Sequence, residues 1–356
     1  MPTLILTEDE IRQAISTAEA VDAIEAAFAA LAQGRVTLPG VINFDLPTTP
    51  PSETPQGESH VKGAYIAGSS HFVIKVANSF YHNRVLGLPI GSGLMLAFDA
   101  ATGFLDAILL DNGYLTDLRT GAAGAVATRC LAPAIIRQAA FVGAGTQARF
   151  QFRAIAAVRH IPSVMVWSRN PANADRLARE IVDDRGCDAH VAETIEEAVR
   201  SSDLIITTTP SRQPLVRADW VRPGTTLIAV GSDAAYKQEL DASLLARADV
   251  VIADCLSQCA ELGEIHHALT ASILTLDDIS GELGDVIVNR IPGRTSDDQV
   301  IVCDLTGVGV QDAAIAGLLL EKARLIGLGW ELPVLASRPA HAGQDGSPRG
   351  PRGAGG

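Results

Sequence analysis

The chain has 356 residues, 47% hydrophobic and only 4% aromatic, with a net charge of −13 and a pI near 5.0. That length accommodates two domains of ordinary size, and the acidic balance argues against a nucleic-acid partner held through phosphates. No uncharged apolar run reaches the ~20 residues of a membrane span, and the first residues lack a basic segment followed by a long apolar stretch. With five scattered cysteines that suit reduced thiols, the expected setting is the cytoplasm.

Thr7 ahead of Glu8-Asp9-Glu10 reads as the N-cap of a first helix. A second spans about 18–32, with Val21, Ile24, Ala27, Phe28 and Leu31 on one face and Gly34 as its stop. Pro39 to Gly57, rich in Pro, Thr and Ser, reads as a loop with short extended pieces. β-branched or alternating stretches at 61–66, 72–76, 93–98 and 104–110, spaced by turn residues, predict an antiparallel sheet. Residues 131–136 link this sheet to an apolar strand that begins at residue 139.

From residue 139 strands and helices alternate, which predicts a Rossmann-type, doubly wound parallel sheet and an α/β fold class. Strands are expected at 139–142, 164–167, 204–207, 227–230, 250–253 and 299–303. Asn170-Pro171 and Thr194-Ile195-Glu196-Glu197 start helices, and 311–326 reads as a long apolar helix. Ser337 to Gly356 is rich in Gly, Pro, Arg and Ser and is expected to be disordered.

The sharpest motif is Gly143-Ala144-Gly145-Thr146-Gln147-Ala148, a G-x-G-x-x-A turn between the strand and a helix. Gly143 permits the tight turn, Gly145 lets backbone N–H groups approach a pyrophosphate, and the helix start adds partial positive charge. At the end of the next strand stand Ser168 and Arg169, where an NAD site usually carries a carboxylate. Ser and Arg accommodate a 2′-phosphate, so the expected cofactor is NAD(P), leaning to NADP(H), although Arg169 can also stack on adenine.

Other residues offer chemistry. Arg119, early in a small-residue-rich helix, suits a carboxylate or phosphate, or equally a salt bridge to Asp117 or Asp111. Lys75 stands inside an apolar strand and favours a functional cation. Lys62 has the same character, but its own sequence favours a solvent-facing residue. Asp233, after strand-ending Val230 and Gly231, is placed as a general acid/base or an anchor for a substrate amine, or as an N-cap. Thr208 and Thr209 occupy the same edge, and Thr306 to Asp312 offers backbone donors there. Cys255, Cys259 and His266 have spacing for one helical face, but Gly263 interrupts it, and no metal is expected. G-x-S-x-G and H-E-x-x-H are absent.

Together these segments resemble the ornithine cyclodeaminase/μ-crystallin family over essentially residues 1–335. The resemblance is carried by Ile74-Lys75-Val76 with Asn83, Gly87-Leu88-Pro89, Phe98-Asp99-Ala100-Ala101-Thr102-Gly103 and Leu115-Thr116-Asp117-Leu118-Arg119-Thr120. The glycine turn, Val230-Gly231-Ser232-Asp233 with Lys237 and Glu239, Gly281-Glu282-Leu283-Gly284 and Gly307-Val308-Gly309-Val310-Gln311-Asp312 complete it. Residues 109–116 and 57–62 look most like the ectoine-utilisation branch.

The resemblance implies a homodimer built by an α+β substrate-binding domain (1–130 with 306–335) beside the Rossmann domain (131–305). It implies a small amino or imino acid between them; no nucleic-acid or membrane partner is expected, on the charge and hydropathy above. Lys75 and Arg119 would hold the substrate carboxylate, and Asp233 would be the acid/base. The cofactor would meet Thr120, Gly143, Gly145, Thr146, Gln147, Ser168, Arg169, Thr208, Thr209, Val230, Gly231, Val308 and Gly309. Two departures stand out. Asn43 replaces an arginine that many members use toward the carboxylate. Lys62 replaces the acid that the cyclodeaminase turns toward the substrate amine, and a cation there suits a second acidic group. The expected activity is hydride transfer at the α-carbon, as in an imino acid reductase or amino acid dehydrogenase. The alternatives are a redox-neutral cyclodeaminase that releases ammonia, and a non-catalytic NADPH-binding protein.

Overall fold

The alternation of Val73, Lys75 and Ala77 with Phe72, Ile74 and Val76 gives strand His71–Ser79 two unlike faces. In the computed structural model, which describes residues 2–47 and 56–333, this strand is central in an eight-stranded sheet. The order is Trp330–Leu332, Thr3–Thr7, Leu105–Leu110, Gly91–Asp99, His71–Ser79, Gly57–Ile66 and Val36–Thr37, with Ile42–Leu46 also paired to Gly57–Ile66. Pairing is antiparallel except where Thr3–Thr7 runs parallel to Leu105–Leu110. The four expected strands are present, the first three longer than their patterns and the fourth, Leu105–Leu110, close to its own. Ile42–Leu46, inside the stretch read as a loop with short extended pieces, is an edge strand.

One face of this sheet buries Val73, Met95, Ala97, Ala107 and Leu109. Helix Gly309–Ile326 lies over it, packed in turn against Thr17–Ala32 and Tyr114–Leu131. Ser16 and Glu19 cap Thr17–Ala32 reciprocally. The opposite face carries half-buried Val61, Ile74, Val76, Leu94, Leu96 and Ile108, with Ile42, Phe44 and Leu110 exposed.

The second sheet is wholly parallel, in the order Asp188–Val191, Ser163–Trp167, Ala139–Val142, Leu204–Thr207, Thr226–Ala229, Ile301–Asp304, Val250–Ala253 and Gly281–Glu282. Alternate residues enter two cores. Ala139, Phe141, Leu204 and Ile206 join Phe152, Ile155 and Leu177 on one side. Ala140, Val142, Ile205 and Leu227 join Val199, Leu244 and Ile265 on the other. Burial on both faces explains the near-continuous apolar runs. The α/β class with a Rossmann-type parallel sheet is therefore observed.

Ile301–Asp304, late in the chain, is inserted between Thr226–Ala229 and Val250–Ala253. From there the chain passes through Leu305–Val308 into helix Gly309–Ile326 and returns to the first sheet. Among the described residues no helix is long and apolar enough to cross a membrane. The stretch from Ser337 to Gly356 lies outside the described residues.

Candidate active site

Strand Ala139–Val142 ends at Gly143, whose φ is +117°, and a Cβ there would lie 2.6 Å from Thr208 Oγ1. Only glycine satisfies both constraints without strain. Gly145 caps helix Thr146–Val158 and faces open space. A cavity of about 650 Å³ opens here, lined by Gly143, Gly145, Thr146, Ser168, Arg169, Thr208 and Thr209 among others. Thr208 Oγ1 is buried without a hydrogen-bond partner. These features fit a dinucleotide: a backbone cradle at a helix start, an orphaned hydroxyl and cationic walls.

Sequence reasoning missed further lining residues. Arg149 pairs with Glu180 and donates to the carbonyls of Ala144 and Gly145 at 3.0 and 2.9 Å, bracing the glycine turn. Arg176, whose Nη2 donates to Asn173 at 2.5 Å, lines the cavity with Arg169. Other expected contacts do not line this cavity. The Thr120 hydroxyl donates to Thr116 O (2.7 Å), and Gln147 Nε2 to Asp117 Oδ1 (2.6 Å). Val230 and Gly231 end their strand beside Thr209, and Gly231 N donates to Glu239 Oε2 at 2.8 Å. Val308 caps the returning helix, and Gly309 packs so closely on the Gly63 carbonyl that a Cβ would clash with it.

A cationic cluster forms where that helix meets the first sheet. Lys75 Nζ is 3.2 Å from Asp312 Oδ2, and Arg119 Nε is 3.1 Å from Asp312 Oδ1. Arg119 Nη1 also donates to Gln311 Oε1 at 2.6 Å. All three charged side chains are buried. The partner of Arg119 is thus Asp312, and not Asp117 or Asp111 as its neighbourhood in sequence offered. Lys62 is buried as well, donating to Gly307 O at 2.7 Å and Thr306 O at 3.3 Å. The solvent-facing reading of Lys62 is overturned because its strand face is the one covered by helix Gly309–Ile326. Burial pushes the Lys75 ammonium down to about 7, against the pull of Asp312 and with the repulsion of Arg119 and Lys62. Lys75 and Arg119 share the one carboxylate of Asp312, and Lys62 beside them has carbonyls as its hydrogen-bond partners, which together favour a further anion.

Asp233 lies at the carboxyl end of the parallel sheet, with 45% of its side chain accessible. No helix follows it, so it is not an N-cap. Lys237 Nζ donates to its Oδ1 at 2.7 Å. Burial acts to raise the Asp233 carboxyl, but Lys237, His60 and Lys62 prevail and hold it at about 2. Lys237 reaches Glu58 Oε1 as well, at 3.0 Å, and Glu58 also accepts from the hydroxyls of Tyr81 (2.9 Å) and Tyr236. Asn43, on the exposed edge strand, bonds His60 Nδ1 through Oδ1 at 2.6 Å. Glu58 and His60 were missed, although Glu58, His60 and Lys62 alternate on one strand face, a pattern visible at period two.

The metal reading of Cys255, Cys259 and His266 fails on geometry. One helix ends at Cys259 and another begins at Gly263, with φ +79°. Among the described residues no group of three or more His, Cys, Asp or Glu is placed to hold a metal ion. Buried Glu239 serves instead as a staple, accepting from the Thr207 hydroxyl (2.6 Å), Thr209 N (2.5 Å) and Gly231 N (2.8 Å).

The ornithine cyclodeaminase/mu-crystallin family model matches residues 1–325. An uncharacterized cyclodeaminase of Sinorhizobium fredii is 41% identical over 326 residues, 91% of this chain and 97% of that protein. An archaeal alanine dehydrogenase dimer with bound NAD superposes with a TM-score of 0.86 at 34% identity, covering 94% of this chain and all of the other. Thermococcus litoralis Δ1-pyrroline-2-carboxylate reductase, in complex with NADH and L-proline, gives 0.85 at 28% identity over 92% and 99% of the two chains. With its glycine turn, its buried cations and Asp233 in one fold that these proteins share, the chain belongs to the ornithine cyclodeaminase/mu-crystallin family.

Proposed function

We propose that the protein is an NAD(P)-dependent enzyme acting by hydride transfer at the α-carbon of a small amino or imino acid, in the manner of an imino acid reductase or amino acid dehydrogenase. The observation that carries this reading is the division of charge. Lys75 and Arg119, sharing the single acid Asp312, supply a buried seat for a carboxylate. Asp233, held ionised by Lys237, supplies an anion for a cationic nitrogen. An α-amino or α-imino acid carries those two charges one carbon apart, and fixing both orients the carbon between them. The nicotinamide would supply hydride exchange with that carbon. The residues present would hold it through Gly143, Gly145, Thr146, Thr208 and Thr209. The similar archaeal alanine dehydrogenase and Thermococcus reductase support the assignment. A parallel assay of nicotinamide absorbance and ammonia across small imino and amino acids tests it.

A preference for NADP(H) belongs to the same proposal and rests on Ser168, Arg169 and Arg176 at one end of the cavity. The two structural relatives hold NAD and NADH, so this preference is tested separately. The domain division at 1–130 with 306–335 against 131–305 is supported by the return of helix Gly309–Ile326 to the first sheet. A homodimer through the apolar outer face of that sheet is supported by the exposed Ile42 and Phe44 and by the dimeric archaeal relative. A cytoplasmic setting completes this reading. A second reading is redox-neutral cyclodeamination in the breakdown of ectoine or related amino acids, favoured by the similarity to the Sinorhizobium cyclodeaminase. The buried Lys62 weighs against it, because no acid stands there for a second substrate amine.

A further inference from the structure

Glu58 opens strand Gly57–Ile66 of the first sheet, and Lys237 lies on the loop that leaves strand Thr226–Ala229 at the carboxyl end of the parallel sheet. Lys237 Nζ is shared between Asp233 Oδ1 at 2.7 Å and Glu58 Oε1 at 3.0 Å. The Glu58 carboxylate is enclosed and also receives the Tyr81 hydroxyl from the first-sheet side and the Tyr236 hydroxyl from the other. Asp233, by contrast, stays accessible.

An ammonium held between two carboxylates grips each less tightly than it would grip one alone. A cationic substrate nitrogen must compete with Lys237 for Asp233, and the Glu58 charge decides how strongly Lys237 resists. The groups that face Asp233 are Lys237 on its own segment, and Glu58, His60 and Lys62 on the strand opposite. Tyr81 faces Asp233 and Lys237 as well as bonding Glu58, and Tyr236 acts on the cluster through Glu58.

We propose that Glu58 is a positioning residue that draws Lys237 into the seam between the two sheets, leaving Asp233 ionised, oriented and free to meet a cationic substrate nitrogen. This rests on the functional reading of Asp233 as the partner of that nitrogen. It makes the docking of the two sheets part of the chemistry, since Glu58 acts only while both sheets meet at this seam.

The test is kcat/KM for imino acid reduction from about pH 4.5 to 9 in wild type, Glu58→Gln, Lys237→Gln and the double variant. The substrate's own titration is common to all four. In the wild type Asp233 is ionised across this whole range, whereas Lys237→Gln leaves it facing Glu58 with no cation between, so an acid limb absent from the wild-type profile enters at the low-pH end. The double variant removes the facing charge, and the limb moves back down. Glu58→Gln alone loses roughly tenfold in kcat/KM through a tighter Lys237–Asp233 pair, about one factor of 1.4 kcal/mol, while NADPH affinity by fluorescence titration is unchanged. Tyr81→Phe, a milder change that weakens Glu58 without removing it, loses kcat/KM in the same direction and by less. Coincident pH profiles with a uniform loss of rate would overturn the proposal, because a merely structural role predicts that result. A wild type active on imino acids with unshifted variants defeats this proposal alone. A wild type inert on every imino acid defeats the functional reading and this proposal together.

Discussion

Lys62 and Lys75 stand directly opposite each other on neighbouring antiparallel strands, both on the covered face of the sheet. Like charges so placed are destabilising by themselves. The fold tolerates them because Asp312 reaches Lys75 from the returning helix and the carbonyls of Thr306 and Gly307 take Lys62. A site that keeps such a pair is organised around an anion.

The pH dependence of Lys75 follows from its burial. Its folded value of about 7 lies below the unfolded one, so between those values the unfolded chain binds more protons and stability rises with pH. A bound carboxylate favours the charged form and reverses this trend. The affinity for a substrate carboxylate therefore falls as pH rises through about 7, which calorimetric titration with an unreactive carboxylic acid analogue will register. Lys75→Met should remove that alkaline loss and weaken carboxylate binding by roughly 1.5–3 kcal/mol, the worth of a charged hydrogen bond.

Asp233→Asn keeps the shape of the side chain and removes its charge. Turnover should fall below detection while dinucleotide affinity, measured by fluorescence, stays nearly intact, because Asp233 does not line the cofactor cavity. Full activity in this variant would remove Asp233 from the chemistry.

Cofactor preference should follow the cationic end of the cavity. Arg169→Ala together with Arg176→Ala should raise KM for NADPH at least about tenfold, as expected for lost charge-assisted bonds to a phosphate, and leave KM for NADH within about twofold. Equal losses for both cofactors would assign these arginines to the adenine or to the loop.

The outer sheet face supplies the assembly test. Val76→Glu places a charge amid Val61, Ile74 and Leu94 on that face, where an apolar interface does not tolerate it. Light scattering should then report a dimer for the wild type, as proposed, and a monomer for the variant.

Much of this molecule was legible because its signals are local. The glycine turn, the Asn170-Pro171 helix start and the β-rich segments read correctly from a few residues each. The strands Thr3–Thr7 and Asp188–Val191 were missed, since they are short and depend on neighbours for their pairing. The insertion of Ile301–Asp304 between earlier strands is a non-local choice that no window of sequence contains. The same holds for Lys62, whose burial is decided by a helix some 245 residues further on. Lys75 and Arg119 could be nominated from sequence, but Asp312, the carboxylate that joins them, emerges only when that helix returns.

Net hydride transfer on an amino or imino acid is read by following NAD(P)H absorbance and free ammonia together, with wild-type protein and small imino acids such as a cyclic imino carboxylate. A reductase consumes NAD(P)H steadily, one equivalent for each imino acid reduced, and Asp233→Asn abolishes that consumption. Ammonia released from an amino acid with no net change in nicotinamide absorbance would contradict the reductase reading and establish the cyclodeaminase reading instead.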